Sequence, residues 1–73
     1  MTQTEIFQLI QEERVRQDKI HPSFPPFKAD RLAILGEEFG EVCMAINDNS
    51  NLEEELIQVA AVCVRWLEKM RGN

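Results

Sequence analysis

The sequence predicts an all-α fold, with three main helices forming a four-helix-type bundle by oligomerisation. Three observations predict it. Apolar residues recur at steps of three and four in three segments, separated by a proline run and an asparagine-rich turn. The last of these segments is apolar over an arc wider than two neighbouring helices can cover. Finally, 73 residues make a single domain, 1–73, and a chain of that size buries only roughly 60% of its unfolded surface, so a second copy is expected to complete the core.

Residues 2–20 read as the first helix. Thr2 and Glu5 have the spacing of a capping box, and Ile6, Leu9, Ile10 and Val15 form an apolar stripe. Its second half, QEERVRQDK, is highly charged and is expected to be solvated on most sides. HPSFPPFK at 21–28 then interrupts the pattern, because three prolines cannot continue a helix interior. Phe24 and Phe27 are the expected anchors of this linker.

The second helix is expected over 29–46, with Leu32, Leu35, Phe39, Val42 and Ile46 as a bundle seam. Asn47, Asp48 and Asn49 read as a turn. Ser50 and Glu53 repeat the capping-box spacing and open a third helix that ends near Arg71 and Gly72. In it Leu52, Leu56, Val59, Cys63, Trp66 and Met70 make one stripe, and Ile57, Ala60 and Val64 a second beside it. Trp66 therefore reads as core or interface. Gly36 and Gly40 each cost about 1 kcal/mol relative to Ala in a helix interior, which points to a close helix approach.

Composition narrows the function. Thirteen acids against eight bases give a formal charge of −5, which disfavours a general electrostatic grip on a nucleic acid polymer or an anionic membrane. Cys43 and Cys63 show no CxxC or His-Cys clustering and read as free core thiols in a reducing cytoplasm. The first residues lack the basic and apolar regions of a secretory signal, and the longest apolar stretch is far too short to span a membrane. A soluble cytoplasmic protein is expected. His21, beside Pro22, reads as a turn or cap residue, since no second His or nearby Cys completes a metal site.

Six of the thirteen acids fall in two groups flanking the second turn: Glu37, Glu38 and Glu41, then Glu53, Glu54 and Glu55. Glu38 and Glu41 project in neighbouring directions, about 5–6 Å apart at Cβ, and border the apolar face. Two like charges at about 6 Å cost roughly 3 kcal/mol at an effective dielectric near 20, so the pair is cheap only if it is exposed or neutralised by a cation. Glu53 reads as the capping acid, Glu54 as solvated, and all three acids of the second group gain from the helix dipole. Glu55 and Gln58 lie one turn apart beside the seam. If the two helices pair antiparallel, Glu41 and Glu55 come to similar heights, and converging carboxylates suit Mg²⁺ or Mn²⁺. A solvated acidic face is the plainer alternative.

GEEFGEV, followed after the turn by EELIQVAAV, resembles the MazG-like, all-α nucleoside triphosphate pyrophosphohydrolase superfamily, whose pattern is EExxE on one helix and ExxD on the next. Glu37-Glu38-Phe39-Gly40-Glu41 matches the first half. Glu55-Leu56-Ile57-Gln58 matches the second, with Gln58 where the family usually has Asp. Thirteen residues separate Glu41 from Glu55, an interval that suits compact members, and RQDKIHP at 16–22 is similar to a basic stretch found upstream in small phage-type members. The resemblance covers residues 14–68.

It implies Mg²⁺- or Mn²⁺-dependent hydrolysis of a nucleoside triphosphate to a monophosphate and pyrophosphate. Carried over by position, Glu38, Glu41, Glu55 and Gln58 would be metal ligands, while Glu37 and Glu38 would be the catalytic acids, Glu37 binding metal or orienting the attacking water. Gln58 can ligate through its carbonyl oxygen but brings no charge. For substrate binding Lys19, Arg16 and Arg65 are the candidates, with Arg14 beside them, although each reads first as an exposed surface charge. Phe24 and Phe27 could line a base pocket. A nucleoside triphosphate is thus the expected partner of a homodimer or homotetramer. Two rivals stand beside this reading: a degenerate relative that binds nucleotide or metal without turnover, and a helical dimerisation or regulatory adaptor.

Overall fold

A computed structural model of the chain describes residues 1–72 and contains, among these, three helices and no strand: α1 (Gln3–Ile20), α2 (Lys28–Asp48) and α3 (Leu52–Met70). The expected capping box opens α1. The Thr2 hydroxyl accepts from the Glu5 amide at 3.2 Å, and Glu5 accepts from the Thr2 amide at 2.9 Å. At the other end the His21 amide donates to the Gln17 carbonyl at 2.8 Å, so His21 is a cap residue.

The linker is extended and tied down by two arginines. Arg65 donates to the His21 carbonyl at 2.6 Å, and Arg31 donates to the Pro25 carbonyl at 2.6 Å. Both guanidiniums lie over the Phe24 ring, at 4.9 Å for Arg65 and 5.2 Å for Arg31. Phe24 is therefore an anchor as expected. Phe27, by contrast, is 69% exposed and only begins α2.

The second turn differs from the capping box expected at Ser50 and Glu53. α2 runs through Asn47 and Asp48 and ends where Asn49 adopts a left-handed conformation, φ 52°. The Ser50 amide donates back to Ala45 at 3.0 Å and the Asn49 amide to Ile46 at 3.4 Å, which is a Schellman closure. Ser50 is consumed by that motif, so Asn51 becomes the first half-helical residue of α3, without a side-chain cap bond.

α3 is the central element. Both α1 and α2 pack on it, whereas α1 and α2 do not pack on each other among the described residues. The enclosed apolar core is small, comprising Val42, Ala45, Ala61 and Val62. Two sequence expectations fail here for one reason. The seam proposed on α2 divides, with Val42 buried and Leu35 half-buried, but Leu32, Phe39 and Ile46 about 60% exposed. The line of α2 that meets α3 instead passes through Ile34, Glu38, Val42 and Ala45, one strip round from the most apolar one. On α1 the charged half is not solvated all round, because Arg14 and Gln17 are buried, in line with the half-buried Ile6 and Ile10. Arg14 sits between Asp18, at 3.0 Å, and Glu68.

Cys43 is exposed rather than a core filler, and Cys63 is half-buried. Gly36 and Gly40 have open space where a Cβ would stand, so neither marks a close approach of helices within the chain. Trp66 is half-buried on α3. No helix among the described residues is long and apolar enough to cross a membrane.

Candidate functional site

α2 and α3 are joined by only three residues and pair antiparallel, which brings Glu38 and Glu41 of α2 beside Glu55 and Gln58 of α3, although Glu41 lies further from the turn in sequence than Glu55. One carboxylate oxygen from each of Glu38, Glu41 and Glu55 lies within 4.8 Å of the others. All three residues are half-buried. The Gln58 carboxamide completes the group. With its nitrogen turned inward it donates to Glu55 Oε2 at 3.1 Å and to Glu38 Oε2 at 3.3 Å. Turned the other way, the same group offers an oxygen to a cation shared with those carboxylates.

Crowding shows in the acidity of the cluster. Burial, then the adjacent Glu41 and then Glu55 and Glu37, push Glu38 up to about 7. Glu55 is raised too, by burial and by Glu41. A proton or a cation is therefore favoured between these groups near neutral pH. A folded-state value above the unfolded one stabilises the protein at low pH, and that contribution is lost as pH rises through about 7. In chelator, the unfolding free energy is expected to fall between pH 5 and pH 8, by on the order of 1 kcal/mol after solvent screening at half-buried carboxylates, and the urea midpoint with it. A midpoint that rose over this range would contradict the clustering.

The other predicted residues distribute around this cluster. Glu37 is exposed and outside the three-carboxylate group, on the wall of an adjoining cavity. Glu53 and Glu54 are exposed near the turn. The cavity, about 300 Å³, opens where α1 and α2 diverge over α3 and shares Glu38 with the cluster. Arg16 and Arg65 both line it, whereas Lys19 is exposed on α1 outside its lining. Arg16 is held by Glu13 at 2.8 and 2.9 Å.

Arg14 and Arg65 are not surface charges, at 8% and 5% exposed respectively. Arg14 faces Asp18 and Glu68 rather than the cavity. Arg65 is committed to His21 and Phe24, and burial lowers the affinity of its guanidinium for its proton. Phe24 lines the cavity as well, but Phe27 does not.

Sequence reasoning overlooked Gln17, which lines the cavity at 6% exposure. Helical phase could have found it, since Ile6, Ile10, Arg14 and Gln17 follow at steps of four, four and three. Comparison with protein-family models, curated proteins and solved structures finds no match for this chain.

Proposed function

We propose that this protein is a nucleotide pyrophosphohydrolase of the MazG-like type, dependent on Mg²⁺ or Mn²⁺ and acting on a nucleoside triphosphate. The observation that carries the reading is the meeting of Glu38, Glu41 and Glu55 oxygens within 4.8 Å, beside a cavity of ligand size. Three convergent carboxylates and an amide fit a hard divalent cation, which would offset the burial and the carboxylate crowding that push Glu38 up to about 7. Glu38, Glu41 and Glu55 would hold it, with the Gln58 oxygen as a neutral fourth ligand. When bound, the cation neutralises the phosphate chain and lowers the pKa of a water.

The remaining work falls to the chain itself. Glu37, next to Glu38 on the cavity wall, orients the attacking water and takes up its proton. The water oxygen bonds to the α-phosphorus. The bond from that phosphorus to the α–β bridging oxygen breaks, and its electron pair leaves with pyrophosphate.

A panel of standard and modified nucleoside triphosphates, assayed for pyrophosphate with Mg²⁺, Mn²⁺ or chelator, tests this directly. Gln58→Asp sharpens it. A carboxylate in place of the amide removes two donors from Glu38 and Glu55 and adds a fourth negative charge to an already crowded cluster. The wild type is therefore expected to turn over, with Gln58→Asp neutral or harmful and the metal-free variant less stable. Metal binding with no turnover by wild type, and turnover restored by Gln58→Asp, would favour the second reading, a degenerate binder to which Gln58 points.

The catalytic unit in this proposal is a homodimer or homotetramer. Leu32, Phe39 and Ile46 of α2 and Leu56, Leu67 and Met70 of α3 are all more than half exposed, apolar side chains that a second copy would cover. Sedimentation at low micromolar concentration is expected to give an oligomer whose stability rises with protein concentration. A cooperatively folded monomer would contradict it. An oligomer with neither metal binding nor pyrophosphate release would favour the adaptor.

A further inference from the structure

We propose that this chain pairs with a second copy of itself about a twofold axis, through the side of the α2–α3 layer that α1 leaves open, with α2 antiparallel to α2 of the other copy. The proposal rests on the oligomeric reading given above and fixes its face and direction. It does not depend on the chemistry at the cluster.

The two sides of the layer differ. α1 packs on α3 and shares the walls of the cavity with Glu37 and Glu38, so it stands on the side that carries the carboxylates. The other side is bare. Leu32 and Glu41 are nine residues apart, and at about 100° per residue they point in opposite directions from α2. Away from the cluster, burial along the α2–α3 seam fades through Val42 and Leu35 on α2 and Val59 and Trp66 on α3. Beyond them lie Leu32, Phe39, Ile46, Leu56, Leu67 and Met70, all 52–68% exposed. On α2 this strip runs Leu32, Leu35, Gly36, Phe39, Cys43, Ile46, without a charge. Within one copy the enclosed core is only Val42, Ala45, Ala61 and Val62, too little for a chain of 73 residues to stand alone.

Area and charge say what covers the open side. Two helices side by side are about 20 Å wide and about 30 Å long, a face of on the order of 600 Å². Side chains standing on it add accessible area, which brings face-to-face pairing to the about 800 Å² per partner of a stable complex. The layer also has unlike ends, because its helices are antiparallel. Lys28 and Arg31 at the start of α2 share one end with Lys69 and Arg71 at the close of α3; Asp30 is there too, and Glu68 is paired with Arg14. Asp48, Glu53 and Glu54, all exposed, gather at the turn. A second copy turned end for end sets basic end on acidic end twice, as an isologous interface requires. The other twofold arrangement, with α2 over α3, sets like ends together. Phe39 lies midway between Leu32 and Ile46, so the axis passes beside it, and each cluster and cavity face solvent on the outer side.

The test combines sedimentation with pulsed EPR distances on the full chain. One sample carries a spin label at Cys43 with Cys63→Ser; another carries it at Lys28→Cys with Cys43→Ser and Cys63→Ser. The expected distances between copies are about 15 Å at position 43 and about 30 Å at position 28, since eleven residues separate Lys28 from Phe39. Phe39→Glu should weaken self-association at least about 100-fold, while Met44→Glu, off the strip, should leave it unchanged. Phe39 and Met44 are equally exposed within one copy, at 60% and 62%. If Phe39→Glu unfolds where Met44→Glu stays folded, that difference too reports the second copy. A monomeric wild type would overturn both this proposal and the oligomeric reading. An oligomer with labels at position 28 closer than about 20 Å, or with Phe39→Glu associating as well as Met44→Glu, would overturn this pairing alone. The expected distances would support it with or without pyrophosphate release.

Discussion

If the proposed reading holds, the double substitution Glu38→Gln, Glu41→Gln is expected to lower pyrophosphate release by about 10³-fold or more, because it removes the two carboxylates that α2 supplies to the cluster. Its effect on stability should have the opposite sign in metal-free protein. Glu38 is pushed up to about 7 by burial and by Glu41 and Glu55, so replacing both acids relieves repulsion and raises the urea midpoint at pH 8. Wild type should also gain stability with Mg²⁺, by about 2.7 kcal/mol at a concentration 100 times the dissociation constant, and the double variant should not. If the metal-dependent gain survives in the variant, the cation binds elsewhere.

The second large effect is expected at Ala61, which is 0% exposed on the central helix. A methyl group is all the space there admits, so Ala61→Leu must push a flanking helix away from α3. Overpacking of this kind costs typically 1–3 kcal/mol, and the enclosure of Ala61 places it at about 3. A 73-residue domain has a total stability of roughly 4–11 kcal/mol at ordinary values per residue. The variant should therefore be substantially unfolded or shifted to a much lower midpoint, followed at fixed protein concentration by the fluorescence of Trp66. Ala61→Gly, costing about 1 kcal/mol, serves as the conservative comparison. An unchanged midpoint for Ala61→Leu would mean that α3 does not hold its neighbours as tightly as the packing indicates.

Helix limits were largely legible because their signals are local. Thr2 with Glu5, the proline run, and the steps of three and four in α1 and α3 depend on neighbours in sequence. The second turn was misread because two local motifs compete for Ser50, and the closure of α2 onto Ala45 takes it. Packing faces were harder. The most apolar strip of α2, through Leu32, Phe39 and Ile46, is not the strip that meets α3, and periodicity alone does not say which neighbour an apolar strip serves. The approach of the two acidic groups was readable, since an antiparallel pair with a short turn places both beside the seam, but the register was not, because Glu41 lies further from the turn than the Glu55 it meets. The cavity was not. It depends on α1 and α2 diverging over α3, which no short stretch of sequence encodes, and its polar floor of Gln17 and Arg65 lies on strips that composition marks as surface.

The central claim is that the carboxylate cluster directs water to the α-phosphorus of a nucleoside triphosphate. Phosphorus-31 NMR of a reaction with Mg²⁺ and the preferred nucleotide reads the site of cleavage directly. The account predicts equal amounts of nucleoside monophosphate and pyrophosphate, with no orthophosphate, and an unchanged triphosphate spectrum for Glu38→Gln, Glu41→Gln. Nucleoside diphosphate with orthophosphate, or intact triphosphate in the presence of demonstrably bound metal, would contradict it.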